Sequence, residues 1–222
     1  MHDDPLMLRF DRPAEAWDEA LPIGNGRMWA MVFGRTACER IQFNEETLWT
    51  GGPHCYDRAG SGDVLARVRE LIASEPLQGS DAEAELLYLV RSRFLSDPVR
   101  QKRYQPFGDV ELKLPGHDAP CDYTRSLDLR NAIASTQYTV AGVTHTRQWF
   151  ASHPARAIVG FIGASIPRAI SATIRLTCPH REARTRVEEG ATIVLAGRVE
   201  DPTNNTLGLS FESRLRVRTQ DG

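Results

Sequence analysis

Lysine is nearly missing from this chain. Of 27 basic residues only Lys102 and Lys113 are lysines; the rest are arginines. Genome composition accounts for that bias better than phosphate recognition does. The 29 acidic residues bring the formal net charge to -2, so no concentrated basic field exists to hold nucleic acid. Cysteine is scarce too. Cys38, Cys55, Cys121 and Cys178 lie far apart and form no CxxC pair, which argues against a zinc site. A chain of 222 residues that is 41% hydrophobic buries a core without covalent staples, so free thiols are expected. No stretch approaches the roughly 20 apolar residues of a membrane span. The start, MHDDPLMLRF, has no basic region leading into an apolar run, so no secretory signal is read there. A cytoplasmic location is the default expectation, or a periplasmic or secreted one if residues precede it. The GxSxG elbow, P-loop, HExxH and GxGxxG motifs are all missing, and no cofactor or metal is expected.

What is present reads mostly as strands. MWAMVFG is a continuous apolar run, the signature of a strand buried on both faces. IQFNEETLW begins with alternation that places Ile41 and Phe43 on one side, and TGGP then breaks the strand. VELKL sets Val110, Leu112 and Leu114 on one face. TQYTVAGVTHTRQWFAS predicts a hairpin turning at Ala141-Gly142, where glycine supplies positive φ cheaply. AIVGFIGAS, AISATIRLTCP, ATIVLAGRVE and LGLSFESRLRVR follow, each bounded by Gly, Pro, Asn or Asp. Such spacing implies a sandwich or barrel. Residues 62–96 differ. Val64, Leu65, Val68, Leu71 and Ile72 recur at helical spacing. Ser80 and Glu83 fit a capping box ahead of a second apolar face of Leu86, Leu87, Val90 and Phe94. The expected class is mainly β with a short two-helix insertion.

The polar features have modest chemical content. Gly24-Asn25-Gly26-Arg27 interrupts two apolar stretches and reads as a turn, or as a turn that presents Asn25 and Arg27 to a partner. It is not a phosphate loop, because no Lys-Ser/Thr and helix follow. Glu45-Glu46 beside Trp49 suits a sugar, carboxylate for hydroxyls and indole for the ring. Neighbours on a strand point to opposite faces, however, so the two carboxylates cannot act together there, and one Glu facing solvent with one capping a loop is the expected reading. His54 is expected to be a solvated loop histidine. His145, Arg147 and Trp149 share one face by parity and read as a polar stripe or an exposed sandwich face. His153-Pro154 and Pro179-His180 look like turn residues.

Four long blocks then occur in a recognisable order: WDEALPIGNGRMWAMVFG, ERIQFNEETLWTGGP, YQPFGDVELKL and YTRSLDLRNAIASTQYTVAGVTHTRQWFASHP. ISATIRLTCPH follows them. Together they resemble the N-terminal domain of glycoside hydrolase family 95, the α-L-fucosidases, over nearly the whole chain. The resemblance implies a large antiparallel β-super-sandwich. It also implies a parent enzyme that hydrolyses terminal α-1,2-linked L-fucose with inversion, an acid protonating the leaving oxygen and a base activating water. In the family those groups belong to an (α/α)6 barrel that follows the β-domain. No block here matches the barrel, so no catalytic residue is carried over. The implied partners are that barrel and, through it, a fucosylated oligosaccharide, with neither nucleic acid nor membrane. Asn25, Arg27, Asn44, Glu45, Trp49 and Gln105 become candidates for the domain interface or the approach to substrate, Trp49 foremost.

Two departures stand out. The family pattern has a small residue where Trp29 stands, so the indole must find room or be exposed; overpacking costs roughly 1–3 kcal/mol. The chain ends LRVRTQDG, where the resemblance implies another strand or two, so an open sheet edge is expected. Three roles compete: part of a fucosidase-type hydrolase inactive alone, a carbohydrate-binding module stacking sugars on Trp49, Trp149 and tyrosines, and a purely structural docking domain. The first and third are compatible.

Overall fold

The computed structural model describes residues 4–74, 76–97, 99–201 and 206–220. The chain divides into two compact units, Gly51–Arg103 and the residues on either side of that segment.

The larger unit is built of three antiparallel sheets. The first has the order β1-β6-β7-β8-β9: β1 (Met7–Phe10), β6 (Cys121–Asp128), β7 (Ile133–Val140), β8 (Val143–Ser152) and β9 (Ala157–Ala164). The second has the order β10-β5-β4-β3-β2: β2 (Leu21–Gly24), β3 (Met28–Val32), β4 (Cys38–Glu45), β5 (Gly108–Lys113) and β10 (Thr173–Thr177). The third joins β11 (Arg184–Glu188), β12 (Thr192–Asp201) and β13 (Thr206–Arg216), with β13 at its edge. The mainly β, sandwich-like class expected from the strand patterns is the one observed.

Period-two patterning builds the core. Ile41, Phe43, Leu112 and Leu114 point from the second sheet toward Leu127, Ala134 and Trp149 of the first, and Leu195, Val199 and Phe211 of the third join them. β3 is buried on both faces, as its unbroken apolar run predicts. Ala30 and Val32 enter this main core, while Met31 and Phe33 pack with Ala14 and Ala20 in a second cluster behind the sheet. The β7–β8 turn has the predicted positive φ at both positions, 49° at Ala141 and 78° at Gly142.

One expectation is corrected. His145, Arg147 and Trp149 do share a face of β8, but it is buried, not exposed; Arg147 has no accessible side-chain surface. The guanidinium tolerates this because its partners surround it. It meets Glu39 at 3.1 Å and donates to the carbonyls of Arg35 at 2.5 Å and Thr36 at 2.7 Å, and to the Tyr138 hydroxyl. Glu39 Oε1 accepts from the backbone N–H groups of Gly34, Arg35 and Arg40. Burial pushes the Glu39 carboxyl above its ordinary range, and Arg147 opposes that rise. Every strong donor and acceptor of the pair is engaged except Arg147 Nε, so the two sheets are clamped by a nearly closed polar network. His180 is likewise buried rather than a simple turn residue, its Nε2 3.1 Å from the Pro106 carbonyl.

The smaller unit holds α1 (Leu65–Ile72) and α2 (Asp81–Leu89), the latter running on as a wider π-turn through Phe94. Ser80 caps α2 by accepting from Glu83 N–H at 3.3 Å, and the Glu83 carboxylate reaches back to Gly79 N–H at 2.6 Å. The capping box therefore forms, with its return bond one residue early. Val68 and Leu71 are buried as the helical spacing predicts, but Ile72, Leu87 and Phe94 stay exposed.

Candidate functional site

The six candidate residues converge on one end of the second sheet. Three segments meet there: the β2–β3 turn, the turn after β4 and the residues leading into β5.

The first segment is organised by Asn25. Its Oδ1 accepts from the backbone N–H groups of Arg27 at 3.0 Å and Met28 at 2.8 Å, closing the turn locally. Its Nδ2 donates to the Ser152 carbonyl at 3.0 Å, tying the turn to the end of β8. Arg27, 55% exposed, is thereby aimed along the sheet end, and its Nε donates to Glu45 Oε1 at 2.9 Å. The carboxylate that meets Arg27 thus lies in its own sheet.

Glu45 ends β4. Its second oxygen accepts from Thr47 N–H at 2.8 Å and from the Thr47 hydroxyl at 2.6 Å. Partial burial works to raise this carboxyl, but the Thr47 and Arg27 bonds outweigh it and hold the pKa below the ordinary carboxylate value. Glu45 is therefore an anion with both oxygens occupied, unsuited to donate a proton as a general acid. Glu46 lies exposed in the following turn, so the adjacent carboxylates divide into a loop cap and a solvent-facing group.

Asn44, 4% exposed, points the other way from Glu45. Its Nδ2 donates to the Gln105 carbonyl at 3.0 Å. Gln105 N–H in turn donates to the Leu48 carbonyl at 2.8 Å, joining the turn after β4 to the lead into β5. Trp49 and Tyr104 form an isolated antiparallel bridge, with ring centroids 5.3 Å apart. The Trp49 indole N–H donates to the Glu46 carbonyl at 2.9 Å, leaving the ring 37% exposed in a fixed orientation.

Two participants were missed in the sequence. Tyr104 is the hub: its hydroxyl accepts from Trp29 Nε1 at 3.1 Å and donates to the Glu45 carbonyl at 2.9 Å, while its ring meets Trp49. The signal was its place as first residue of the YQPFGDVELKL block. Trp29 resolves its apparent overpacking by lying half-buried on the reverse face of β3, against the smaller core cluster, with its polar edge on Tyr104. His54 belongs to the smaller unit, where its Nε2 lies 2.7 Å from the Asp97 carbonyl in an exposed loop. Trp149 and Tyr138, two rings of the stacking-surface reading, are buried and unavailable to a ligand.

This arrangement can present a rigid aromatic ring and a partly exposed ion pair to a surface or to a sugar. Its carboxylates do not converge on a common point, as acid–base hydrolysis requires. Among the described residues, no cluster of His, Cys, Asp and Glu could hold a metal ion.

The sequence profile described as "Glycosyl hydrolase family 65, N-terminal domain" matches residues 8–222. Alpha-L-fucosidase 2 of Arabidopsis thaliana is 31% identical across 98% of this chain and 27% of its own length. Probable alpha-fucosidase A of Aspergillus oryzae is 29% identical across 66% of this chain and 20% of its own. The chain thus spans about a quarter or less of the relatives it matches.

Proposed function

The chain belongs to the family of N-terminal domains described for glycosyl hydrolase family 65, and from that premise we propose that it is the non-catalytic N-terminal domain of an α-L-fucosidase of the family 95 type. Its role is to pack against a barrel domain and support it. The parent enzyme removes terminal α-1,2-linked L-fucose with inversion, and the acid and the activated water belong to the barrel. One observation carries the docking role. The candidate residues form a tightly bonded ledge in which only Trp49 and Arg27 are substantially exposed, while the carboxylate between them is already neutralised. A ledge with rigid aromatic and arginine groups has the composition of an interface anchor. The reading as a free carbohydrate-binding module loses the buried Trp149 and Tyr138 and has Trp49 and Tyr104 as the rings at this sheet end.

The test mixes the 222-residue chain with a separately produced fucosidase barrel domain and measures fucose release from a 2'-fucosyl oligosaccharide. The chain alone releases none. Mixing forms a complex or restores activity, and Trp49→Ala weakens both. Hydrolysis by the chain alone would overturn the reading. A sugar-dependent change in Trp49 fluorescence without the barrel would favour the binding module instead.

A further inference from the structure

Six strands form the edges of the three sheets: β1 and β9, β2 and β10, β11 and β13. Exposed edges invite pairing with other chains, and proteins blunt them with short strands, charges or proline. Five of the six are blunted in this way. β1 and β10 have four and five residues, and each carries an arginine, Arg9 or Arg175. β2 contains Pro22. β11 presents Arg184, Arg186 and Glu188, and β13 presents Glu212, Arg214 and Arg216. β9 has none of these devices. Its eight residues, AIVGFIGA, include no charge, no proline and no polar side chain.

The hydrogen-bond ladder shows which of its groups face outward. Ser165 N–H donates to the Thr144 carbonyl at 2.8 Å. Antiparallel ladders alternate, so Gly163, Phe161 and Val159 bond to β8. Ile158, Gly160, Ile162 and Ala164 turn their N–H and C=O groups to the open side. Among the described residues nothing accepts or donates to them.

We infer that β9 is the contact strand of a homodimer, pairing antiparallel with β9 of a second copy. A two-fold axis through Phe161 sets Ile158 against Ala164 and Gly160 against Ile162, using all four outward residues of both strands. Two five-stranded sheets thereby become one of ten strands. The strand meets itself without like-charge repulsion. The two Phe161 side chains, each 59% exposed in the single copy, face one another across the axis on the outer surface. Beside them the cross-strand neighbours Gln148, Ser135 and Ser126 are also uncharged. The interface is isologous and closes at two copies.

Sedimentation equilibrium of the 222-residue chain is expected to show a mass that doubles with concentration. Phe161→Lys sets two cations opposite each other. It should weaken dimerisation roughly tenfold or more, equivalent to about 1.4 kcal/mol, while leaving the far-UV circular dichroism unchanged. Phe161→Cys should oxidise to a dimer cross-linked at position 161, located by peptide mapping because the native thiols are also available. A chain monomeric at every concentration, a dimer indifferent to Phe161→Lys, or an open-ended polymer would each overturn the inference. So would protection of the 158, 160, 162 and 164 amides from exchange only when a barrel domain is added, which would put a different chain on this edge.

Discussion

Tyr104 links three elements through one hydroxyl and one ring. Tyr104→Phe keeps the ring against Trp49 but removes an acceptor from the Trp29 indole and a donor from the Glu45 carbonyl. Each lost bond leaves a partly buried group unsatisfied, so the variant should lose about 1–2 kcal/mol with unchanged strand content, measured by urea denaturation. Glu39 and Arg147 make a sharper case, since both side chains are fully buried. Removing one partner strands a charge: Arg147→Met should cost about 3–5 kcal/mol, whereas Glu39→Leu with Arg147→Met together should cost less than the sum of the single changes. A double-mutant cycle in urea reads the coupling; strict additivity would mean that the clamp does not act as a pair. This scale also shows where the sequence was opaque. Asn25 as a turn cap could be read from Gly-Asn-Gly alone, because an Asx turn is a local interaction. The burial of Arg147 could not, because its carboxylate lies 108 positions earlier on another sheet. Tyr104 was equally hidden, since its partners Trp29 and Glu45 come from distant strands.

Among the elements, the β7–β8 hairpin carries a titratable consequence. His145 on β8 and His117 in the segment after β5 place their rings 4.4 Å apart, and His117 Nδ1 lies 2.8 Å from the Tyr138 hydroxyl. His145 Nδ1 has no protein partner among the described residues. Burial lowers both imidazoles below 6.5. Arg147 adds to the effect at His117, with Asp118 opposing, while His117 and then Arg147 add to it at His145. The unfolded chain therefore binds protons near pH 6.5 that the folded one refuses. Stability from this pair is complete above about pH 6.5 and is lost as the pH falls toward the depressed folded values. Glu39 has the opposite sign: its raised carboxyl contributes stability that is full below its ordinary 4.5 and is lost as the pH rises through the folded pKa. Urea midpoints measured from about pH 7.5 to about pH 5.5 should fall, and His145→Gln should flatten the slope. Strands long enough to alternate, such as β4, β5, β7 and β8, were legible in the sequence. β1, β2 and β11 were not, because four or five residues on a sheet edge show too little periodicity to separate from a turn. The helical pattern was legible as helix, but three of the nine residues on its expected apolar faces, Ile72, Leu87 and Phe94, stay exposed. Spacing reports which residues share a side, not what covers that side.

At the scale of the whole molecule, Gly51–Arg103 leaves and re-enters the larger unit at a closed neck. Thr50 follows Trp49 and Arg103 precedes Tyr104, and Trp49 and Tyr104 are already cross-strand partners. Replacing residues 51–103 by a short Asn-Gly turn should therefore leave the three sheets cooperatively folded. Loop-closure entropy changes only slowly with loop length, so the melting temperature should move by a few degrees at most. Loss of the cooperative transition in calorimetry would show that the sheets depend on the smaller unit.

The buried pair between the sheets also sets a timetable. Glu39 leaves the ribosome 108 residues before Arg147, and β4 is complete long before β8 exists. At ordinary synthesis rates that interval is about 5–20 seconds. For that time β4 has neither β10 of its own sheet nor β8 of the facing one, and the Glu39 carboxylate waits without the cation that later meets it. Its backbone donors Gly34, Arg35 and Arg40, all within six positions, are the only partners that arrive on time. The short loop between β3 and β4 thus acts as a temporary holder for a charge whose permanent partner has yet to be translated.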